Sequence, residues 1–361
     1  MSRFLSEKYR VLEAYTPGEQ PRDKQYIKLN TNESPFPPSP KVIEAINRQS
    51  VEDLRLYPDP EGKVLKEKLA EQFAVESKNI FLSNGSDDIL NFSFMAFFAS
   101  EKSGVAFPDI SYGFYRVYAE LHGVDYVTIP LKEDFTICPE EYRSIGRGVV
   151  IANPNAPTGI ALTRGEIEQI VASNPDHVVL IDEAYVDCGG ESAAELVNRY
   201  DNLLVVRTFS KSCSLAGGRL GFAIGHEELI ADLEKIKYST NPYNINRLTM
   251  LAGIASLEDV AYYRNNCHTI MENRQYLTEE LRRRGFEVLD SKANFVFAAS
   301  RDIDGAELYR ELRSRGILVR HFGAERICNY NRITIGTMKE MIALVMAVDD
   351  IFTASVAQRG D

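Results

Sequence analysis

One lysine occupies a position where a buried amine can react with a carbonyl group. Lys211 follows the apolar run Leu203–Val206 within the segment Arg207-Thr-Phe-Ser-Lys-Ser212, and small hydroxyl residues flank it on both sides. Lysine is rare at the ends of buried strands because its charged amine prefers water. An amine held there can attack an aldehyde and can afterwards carry a proton. Taken alone, the segment is more typical of a surface loop with an exposed lysine.

A carboxylate occupies the end of a second apolar run. Asp182 follows Val178–Ile181 and opens the segment Asp182-Glu-Ala-Tyr185. A carboxylate at the end of a buried strand is costly unless it meets a cation or several hydrogen-bond donors. A protonated pyridine nitrogen would be such a cation. The alternative is that Asp182 caps a helix that follows it.

Two glycine-containing turns have the composition of a phosphate site. Asn84-Gly-Ser-Asp-Asp88 joins a predicted strand to a predicted helix, where free backbone N–H groups bind anions, although a plain turn with Ser86 as N-cap is the commoner explanation. Leu215-Ala-Gly-Gly-Arg-Leu-Gly221 lets the backbone approach a ligand, and Arg219 can clamp a phosphate with two hydrogen bonds. The loop Asn153-Pro-Asn-Ala-Pro-Thr-Gly159 is rigid and compatible with a cis proline, but by itself favours a structural turn.

Alternating strands and helices must position these loops. Amphipathic segments such as Thr163–Ala172 and Glu191–Tyr200 predict helices, and Thr163 with Glu166 forms a capping box. Such alternation is typical of a mostly parallel sheet between helices, with ligands at the carboxyl ends of the strands. The apolar runs that predict strands are Ile80–Ser83, Val105–Phe107, Val124–Ile129, Val149–Ala152, Val178–Ile181, Leu203–Val206 and Leu220–Ile224.

The pattern changes after residue 245 and predicts a smaller α+β domain. Its predicted helices are Ile245–Ser256, Val260–Arg284, Ala306–Arg315 and Lys339–Phe352, and its strands are Phe286–Leu289, Asn294–Ala298, Ile317–Arg320 and Arg332–Ile335. The proline-rich residues 30–40 predict an extended arm. We therefore expect an α/β fold. Residues 33–250 form the large domain with its mostly parallel sheet, residues 251–361 form the small α+β domain, and the N-terminal arm, residues 1–32, is part of the small domain.

Composition and charge exclude several classes of protein. The chain of 361 residues has a formal net charge of -11, which argues against nucleic acids and anionic membranes as partners. Its five cysteines and five histidines are scattered, so we expect neither a disulfide framework nor a metal site. No apolar run is long enough to span a bilayer, and the N-terminal residues lack the apolar stretch of a signal peptide. We expect a cytoplasmic protein.

Together these loops supply what a phosphorylated pyridine aldehyde needs: an amine, a carboxylate and phosphate-binding groups at one edge of one sheet. On the segments Thr208-Phe-Ser-Lys-Ser212, Ala216-Gly-Gly-Arg219 and Asp182-Glu-Ala-Tyr185, the chain resembles the fold-type I pyridoxal-phosphate aminotransferases. Within that family it is similar to the histidinol-phosphate aminotransferases. The resemblance extends from Lys28-Leu-Asn-Thr-Asn-Glu33 to Arg332-Ile-Thr-Ile-Gly-Thr337.

The resemblance implies pyridoxal 5'-phosphate as the cofactor and assigns roles to individual residues. Lys211 would form the Schiff base, Asp182 would pair with the ring nitrogen, and Tyr185 would donate to the phenolic oxygen. The other implied cofactor contacts are Gly85, Ser86, Asp87, Ser210 and Arg219 at the phosphate, Tyr112 on the ring face, Asn155 at the phenolic oxygen and Tyr57 from a partner subunit. The implied substrate-binding residues are Arg320, Arg332 and Asn32.

The chain departs from the family pattern in two places. Ala156 stands where the family often has asparagine directly before Pro-Thr-Gly, and Asn155 is the expected substitute. Ser34 and Phe36 replace the asparagine and tyrosine of the N-terminal family motif, so the hydroxyl of that tyrosine is missing. These departures affect the expected substrate more than the expected cofactor.

The resemblance implies transamination of L-histidinol phosphate with 2-oxoglutarate in histidine biosynthesis, by a homodimer with a shared active site. An aromatic amino-acid aminotransferase and an L-threonine O-3-phosphate decarboxylase share most of the motifs and are the alternatives within the family. A non-catalytic binding protein of the same fold is disfavoured because Lys211, Asp182 and Arg219 occur together.

Overall fold

The computed structural model describes residues 4–10, 12–13, 15–99 and 104–359. In this part of the chain the strands are β1 (Ile27–Lys28), β2 (Ile80–Ser83), β3 (Val105–Pro108), β4 (Tyr126–Ile129), β5 (Gly148–Ala152), β6 (Val179–Asp182), β7 (Leu203–Thr208), β8 (Gly221–Gly225), β9 (Phe286–Val288), β10 (Phe295–Ser300), β11 (Ile317–Leu318), β12 (Arg320–His321) and β13 (Tyr330–Thr334). The α-helices are α1 (Pro40–Ala45), α2 (Arg48–Glu52), α3 (Lys63–Phe73), α4 (Gly85–Ser93), α5 (Phe114–His122), α6 (Arg164–Ala172), α7 (Glu227–Thr240), α8 (Arg247–Leu257), α9 (Val260–Arg283), α10 (Gly305–Ser314) and α11 (Met338–Arg359).

The large sheet is mostly parallel, as the sequence predicts. Its seven strands follow the order β2-β8-β7-β6-β5-β3-β4 among the described residues. Strands β3 to β7 pair in parallel, whereas β8 is antiparallel to both of its neighbours. The carboxyl ends of β5, β6 and β7 lie side by side, with Asp182 in register with Ala152 on one side and Val206 on the other. The first residue of β8, Gly221, pairs with Thr208 at the same edge.

Two hydrophobic cores cover the two faces of this sheet. Successive residues of a strand point to opposite faces, so Val179 and Ile181 enter one core while Leu180 enters the other. Helices α3, α6 and α8 supply side chains to the first core, and α4, α5 and α7 supply the second. Because both faces are buried, the central strands are apolar throughout, which is why they read as continuous apolar runs.

The helix predicted over Glu191–Tyr200 is wrong, whereas the capping box predicted at Thr163 is confirmed. Thr163 accepts from the Glu166 N–H, and the Glu166 carboxylate accepts in return from the Thr163 N–H at the start of α6. The other segment contains only a short 3-10 helix, Ala194–Asn198. No α-helix begins at the start of this segment, because the backbone N–H of Ala193 donates to the buried Glu183 carboxylate.

The small domain consists of a four-stranded antiparallel sheet packed on helices. The sheet has the order β12-β13-β10-β9, and its core includes buried residues of α9, α10 and α11. The single strand predicted over Ile317–Arg320 is in fact two short strands in different sheets. Arg320 pairs with Arg332 in the four-stranded sheet, while Ile317 pairs in parallel with Ile27 of the arm. Leu29, directly after β1, is buried in the same core.

Residues 30–39, within the segment predicted as an extended arm, form no helix or strand. The arm passes from the small domain to the large one and ends at Pro40, the first residue of α1. Helix α8 packs against α1 and α3, and its buried Ala252 and Ala255 belong to the first core of the large sheet. We therefore propose that the boundary between the domains lies at the end of α8 rather than at residue 250. No helix in the described part of the chain has the length and apolarity needed to cross a membrane.

Candidate active site

A cavity of about 500 Å³ opens at the carboxyl edge of the large sheet. Its floor comes from the loops after β5, β6 and β7, and its opposite wall comes from the arm and the small sheet. Eleven of the residues implied by the sequence line it: Asn32, Ser86, Asp87, Tyr112, Asp182, Tyr185, Ser210, Lys211, Arg219, Arg320 and Arg332. The strand ends and the arm thus bring together groups that lie far apart in the sequence. Among the described residues, no group of histidine, cysteine or acidic side chains is arranged to hold a metal ion.

Asp182 is a buried carboxylate at the floor of the cavity. The Tyr115 hydroxyl donates to its Oδ2 at 2.9 Å, and the Ala184 N–H donates to its Oδ1 at 3.2 Å. Burial raises the pKa of Asp182 to about 6, against the opposing effect of these donors and of the Lys211 charge. The carboxylate therefore lacks a full counter-charge, and a protonated pyridine nitrogen would supply one.

Lys211 projects into the cavity from the loop after β7. Its Nζ donates to the carbonyl oxygen of Thr31 at 3.2 Å and lies 5.5 Å from the centroid of the Tyr185 ring. Among the described residues, no carboxylate forms a salt bridge with this amine. The amine is thus held loosely by the arm and faces the same space as Asp182, where it can reach a bound carbonyl group.

Tyr185 connects this floor to the arm. Its hydroxyl accepts a hydrogen bond of 3.1 Å from Nδ2 of Asn32. Asn32 has a φ of 56°, in the left-handed region that asparagine tolerates better than most residues. Thr334 of β13 fixes this conformation, because its hydroxyl bonds both the Asn32 N–H and Oδ1 at 3.0 Å. The arm therefore places one amide donor directly beside the tyrosine hydroxyl.

The phosphate side of the cavity is formed by the turn before α4 and by Arg219. Arg219 Nη2 donates to Asp87 Oδ2 at 2.9 Å, and the Tyr112 hydroxyl donates to Asp87 Oδ1 at 2.9 Å. A side chain at Gly85, where φ is 78°, would put a Cβ 2.5 Å from Arg219 Nη2. Gly221 is equally constrained, since its Cβ would lie 2.4 Å from the Gly85 carbonyl carbon. These glycines create a cradle of backbone N–H groups at a helix start beside a guanidinium group, which fits a phosphate.

Two arginines line the wall contributed by the small domain. Arg332 stacks on the rings of Phe295 and Phe322, and its Nη2 donates to the Asn30 carbonyl oxygen at 3.1 Å. Its Nε is buried and has no hydrogen-bond partner among the described residues. Burial lowers the pKa of Arg332, so an anion beside it would relieve the cost of a desolvated charge. Arg320 donates to the carbonyl oxygens of Thr16 and Pro17 at 3.2 and 3.4 Å.

Asn155 does not line the cavity, although the sequence predicted it as a cofactor contact. Its Oδ1 accepts from the Ser111 hydroxyl at 2.8 Å, and its Nδ2 donates to the Ile110 carbonyl oxygen at 3.0 Å and to Thr158. The amide is therefore fully engaged with protein groups and orients Ser111, which does face the cavity. The neighbouring Ala156 presents a methyl group there instead. The peptide bonds before Pro154 and Pro157 are both cis.

Tyr57 also lies outside the cavity of its own chain. Its side chain is 78% exposed and stacks on the Tyr243 ring at 4.6 Å. Arg247 Nη2 holds the segment by donating to the Tyr57 carbonyl oxygen at 3.0 Å. Gly85 belongs to the turn that forms the phosphate cradle but does not line the cavity.

Sequence reasoning missed several residues that line the cavity, notably Tyr15, Thr31, Glu33 and Phe322. Tyr15 stacks on the Phe114 ring at 4.2 Å and covers the cavity from the N-terminal segment. No periodicity or turn signal in the sequence marks this tyrosine. Glu33 was visible only as part of the arm motif. Its Oε1 lies 2.7 Å from Nζ of Lys28, and this contact depends on the fold of the arm.

The sequence profile of the family "Aminotransferase class I and II" matches residues 24–348. The chain belongs to this family. The fold expected from the motifs is confirmed by a solved structure, the histidinol-phosphate aminotransferase of Sinorhizobium meliloti in complex with pyridoxal-5'-phosphate. That structure superimposes on this aminotransferase with a TM-score of 0.82 at 25% identity, covering 92% of each chain. The expected cofactor, pyridoxal phosphate, is likewise confirmed for this aminotransferase.

Relatives of known name align over almost the whole aminotransferase. The histidinol-phosphate aminotransferase of Brachyspira hyodysenteriae is 52% identical over 94% of this chain and 96% of its own. Histidinol-phosphate aminotransferase 2 of Dechloromonas aromatica is 51% identical over 97% of this chain and 99% of its own. The histidinol-phosphate aminotransferase of Clostridium acetobutylicum gives a TM-score of 0.82 at 25% identity, over 90% of this chain and 98% of that one. The resemblance drawn from the motifs is thus confirmed.

Proposed function

We propose that this aminotransferase transfers the amino group of L-histidinol phosphate to 2-oxoglutarate, forming imidazole acetol phosphate and glutamate, in the biosynthesis of L-histidine. The observation that carries the proposal is the pair of arginines on the small-domain wall. Arg332 and Arg320 line the active-site cavity. The phosphate cradle in the same cavity has an arginine of its own, Arg219. The named relatives at about half identity support the same substrate.

Arg332 is suited to the anionic group of each substrate in turn. Its guanidinium lacks a carboxylate partner in the described part of the chain, and its buried Nε has no hydrogen-bond partner there. A guanidinium group binds both carboxylate and phosphate through paired hydrogen bonds. Histidinol phosphate has one phosphate, whereas 2-oxoglutarate has two carboxylates. The second carboxylate needs an anion-binding group in addition to Arg332.

Arg320 and Tyr15 provide that second site. The Arg320 guanidinium is held by carbonyl oxygens of the segment directly after Tyr15, and both residues line the cavity. In this chain Phe36 replaces the tyrosine of the N-terminal family motif, so the motif supplies no phenol hydroxyl. Tyr15 supplies a phenol hydroxyl to the site instead. We propose that Arg320 and Tyr15 bind the outer anionic group of the substrate.

Bound pyridoxal phosphate supplies an aldehyde that receives the amino group and a protonated ring that withdraws electrons from the reacting carbon. Lys211 would hold the aldehyde carbon through its Nζ until a substrate amine takes its place. The freed Nζ would then remove the proton from the substrate carbon that carries the amino group and would return a proton to the former aldehyde carbon. Asp182 would keep the ring nitrogen protonated, and the Tyr185 hydroxyl would orient the phenolic oxygen.

We further propose that the enzyme works as a cytoplasmic homodimer in which Tyr57 completes the site of the partner subunit. Large apolar side chains are exposed along one stretch of the large domain: Ile43, Ile46, Val51, Leu54, Leu56, Tyr57 and Val64. Exposed apolar surface of this extent is typical of a protein interface. Tyr57 is the residue in this stretch whose hydroxyl can reach a phosphate, and its ring is already ordered by Tyr243.

The decisive experiment is a visible absorbance titration of the purified enzyme loaded with pyridoxal phosphate. Addition of L-histidinol phosphate should bleach the cofactor band, and 2-oxoglutarate should restore it. Bleaching only by phenylalanine or tyrosine would replace the proposed substrate by an aromatic amino acid. Release of carbon dioxide from O-phosphothreonine would favour a decarboxylase. Lys211→Ala is the control, because it should bind cofactor without either response.

A further inference from the structure

We propose that Asp187, Arg207 and Ser212 form a positioning unit that fixes Lys211 relative to Asp182. The inference rests on the proposed function, because it concerns the lysine that this function uses. These three residues, called the tether below, lie behind the active-site cavity. They line a second cavity of about 530 Å³ that shares Thr208 with the first. None of the three faces the substrate cavity.

The tether contacts the sequence neighbours of both reactive groups. Asp182 and Lys211 point into the active-site cavity, whereas the next residues, Glu183 and Ser212, do not line it. The Ser212 hydroxyl donates to Asp187 Oδ2 at 2.6 Å. On the other side, Arg207 Nη1 lies 3.4 Å from Glu183 Oε2. The Arg207 guanidinium on β7 thus binds two carboxylates of the segment after β6, and one of them, Asp187, accepts from Ser212 in the loop after β7.

The ion pair at the centre of the tether joins a buried guanidinium group to a partly exposed carboxylate. Arg207 is 8% exposed, and its Nη2 donates to Oδ1 of Asp187, whose side chain is 39% exposed. Burial disfavours the charged carboxylate of Asp187, yet Arg207 and the Ser212 hydroxyl together hold its pKa below the ordinary value. Asp187 therefore stays ionised and keeps accepting from Ser212. A hydrogen bond to an ionised acceptor is stronger and shorter than one between neutral groups.

Lys211 needs such an anchor because its own side chain has few contacts. In the part of the chain that the structure describes, Nζ donates only to the Thr31 carbonyl oxygen, and the arm that carries Thr31 belongs to the other wall of the cavity. The backbone of the loop is fixed locally by the Ser214 N–H, which donates to the Lys211 carbonyl oxygen at 3.2 Å. The Ser212 hydroxyl ties this loop, through Asp187, to the segment that follows Asp182.

The consequence is a restraint on the position of the amine during proton transfer. Proton transfer depends steeply on geometry, and a displacement of about 1 Å can cost on the order of a hundredfold in rate. Substrate binding depends on Arg320 and Arg332 across the cavity, which the tether does not touch. Loss of the tether should therefore reduce kcat and leave KM almost unchanged.

Ser212→Ala tests the proposal with the least disturbance, because it leaves the Asp187–Arg207 ion pair intact. Ser212→Thr is the matched variant that keeps the hydroxyl, and the neighbouring cavity has room for its methyl group. Ser93→Ala is the control for loss of a buried hydroxyl, since Ser93 bonds only the Ile89 carbonyl oxygen of its own helix among the described residues. The measurements are kcat, KM for the amino donor, cofactor content, and the pH midpoint of the visible cofactor band.

We expect Ser212→Ala to lower kcat about tenfold, to change KM less than about threefold and to shift the pH midpoint, with cofactor content unchanged. Ser212→Thr should restore both kcat and the midpoint, and Ser93→Ala should match the wild type. A wild-type kcat and midpoint in Ser212→Ala would overturn the proposal, as would equal losses in Ser212→Thr. The same comparison made with glutamate as amino donor is independent of histidinol phosphate. A wild type that accepts glutamate but not histidinol phosphate would refute the proposed substrate and leave this test intact.

Discussion

Nδ2 of Asn32 donates to the Tyr185 hydroxyl at 3.1 Å, so a residue of the arm hydrogen-bonds the floor of the active site. This contact matters more here because Ala156 offers no amide and Asn155 is turned away. We predict that Asn32→Ala weakens cofactor binding at least about tenfold, since Tyr185 loses its donor and a left-handed backbone position loses a tolerant residue. Equilibrium dialysis with pyridoxal phosphate measures this.

The matched control for that prediction is Asn32→Gly. Glycine accepts a φ of 56° without strain but has no amide. Equal weakening in the glycine and alanine variants would assign the effect to the lost hydrogen bond. Recovery in the glycine variant would show that the backbone conformation alone matters, and would contradict the role given to the amide.

Asp182→Asn should stabilise the cofactor-free protein at neutral pH. The pKa of Asp182 is about 6 in the folded protein because of burial, against an ordinary value of 3.8. The folded state thus binds the proton more tightly than the unfolded chain, so the stability that this group contributes falls as pH rises from about 4 to about 6. Removing the carboxylate should raise the free energy of unfolding above about pH 6 by up to roughly 3 kcal/mol.

Urea denaturation of the cofactor-free wild type and of Asp182→Asn, near pH 4 and near pH 7.5, measures this difference. The two proteins should be similar in acid and differ at neutral pH. With cofactor bound the order should reverse, because only the wild type supplies a counter-charge to the ring nitrogen. A variant less stable than the cofactor-free wild type at neutral pH would show that the Tyr115 and Ala184 hydrogen bonds outweigh desolvation.

Arg332→Lys should raise KM for 2-oxoglutarate at least about tenfold. Lysine keeps the charge but cannot form two parallel hydrogen bonds or stack on Phe295 and Phe322. Steady-state kinetics with each substrate varied in turn provides the measurement. Arg313→Lys is the comparison variant, because Arg313 pairs with Glu19 outside the cavity. An unchanged KM in Arg332→Lys would remove Arg332 from the substrate site.

Mixed dimers should reveal the role of Tyr57. Homodimers of Lys211→Ala should be inactive, and those of Tyr57→Ala should bind cofactor weakly, because each lacks one component of the shared site. A hybrid has one site with both components intact. After subunit exchange of equal amounts, activity should recover to about a quarter of the wild-type value. No recovery, with exchange confirmed by mass spectrometry, would place Tyr57 outside the partner's site.

The sequence predicts the large sheet well because its strands are buried on both faces. The runs at Ile80–Ser83 and Val149–Ala152 match β2 and β5 to within one residue, since continuous apolar residues have no other stable environment in a soluble domain. The segment Glu191–Tyr200 was mispredicted because the buried Glu183, which lies outside the segment, accepts from the Ser192 hydroxyl and from the Ala193 N–H. Local periodicity carries no information about such a partner.

The reactive residues are predictable where they follow strands, and they are missed where only the tertiary fold positions them. Asp182 and Lys211 stand at the ends of apolar runs, so their meeting follows from the parallel sheet. Tyr15 lines the cavity from a segment whose carbonyl oxygens accept from Arg320, a residue 305 positions further along the chain. The orientation of Asn155 away from the cavity was missed for a similar reason, since its partner Ser111 lies on a different loop.

The pairing of β1 with β11 has a consequence for the order in which the protein is made. Lys24 bonds the carbonyl oxygen of Ser314, 290 positions further along the chain, and Ile27 pairs with Ile317. On the ribosome β1 has no strand partner until β11 has been synthesised, whereas the large sheet is already complete at β8. The wall that carries Asn32 is therefore assembled last. A nascent chain can hold Lys211 and Asp182 in place and still be unable to enclose a substrate.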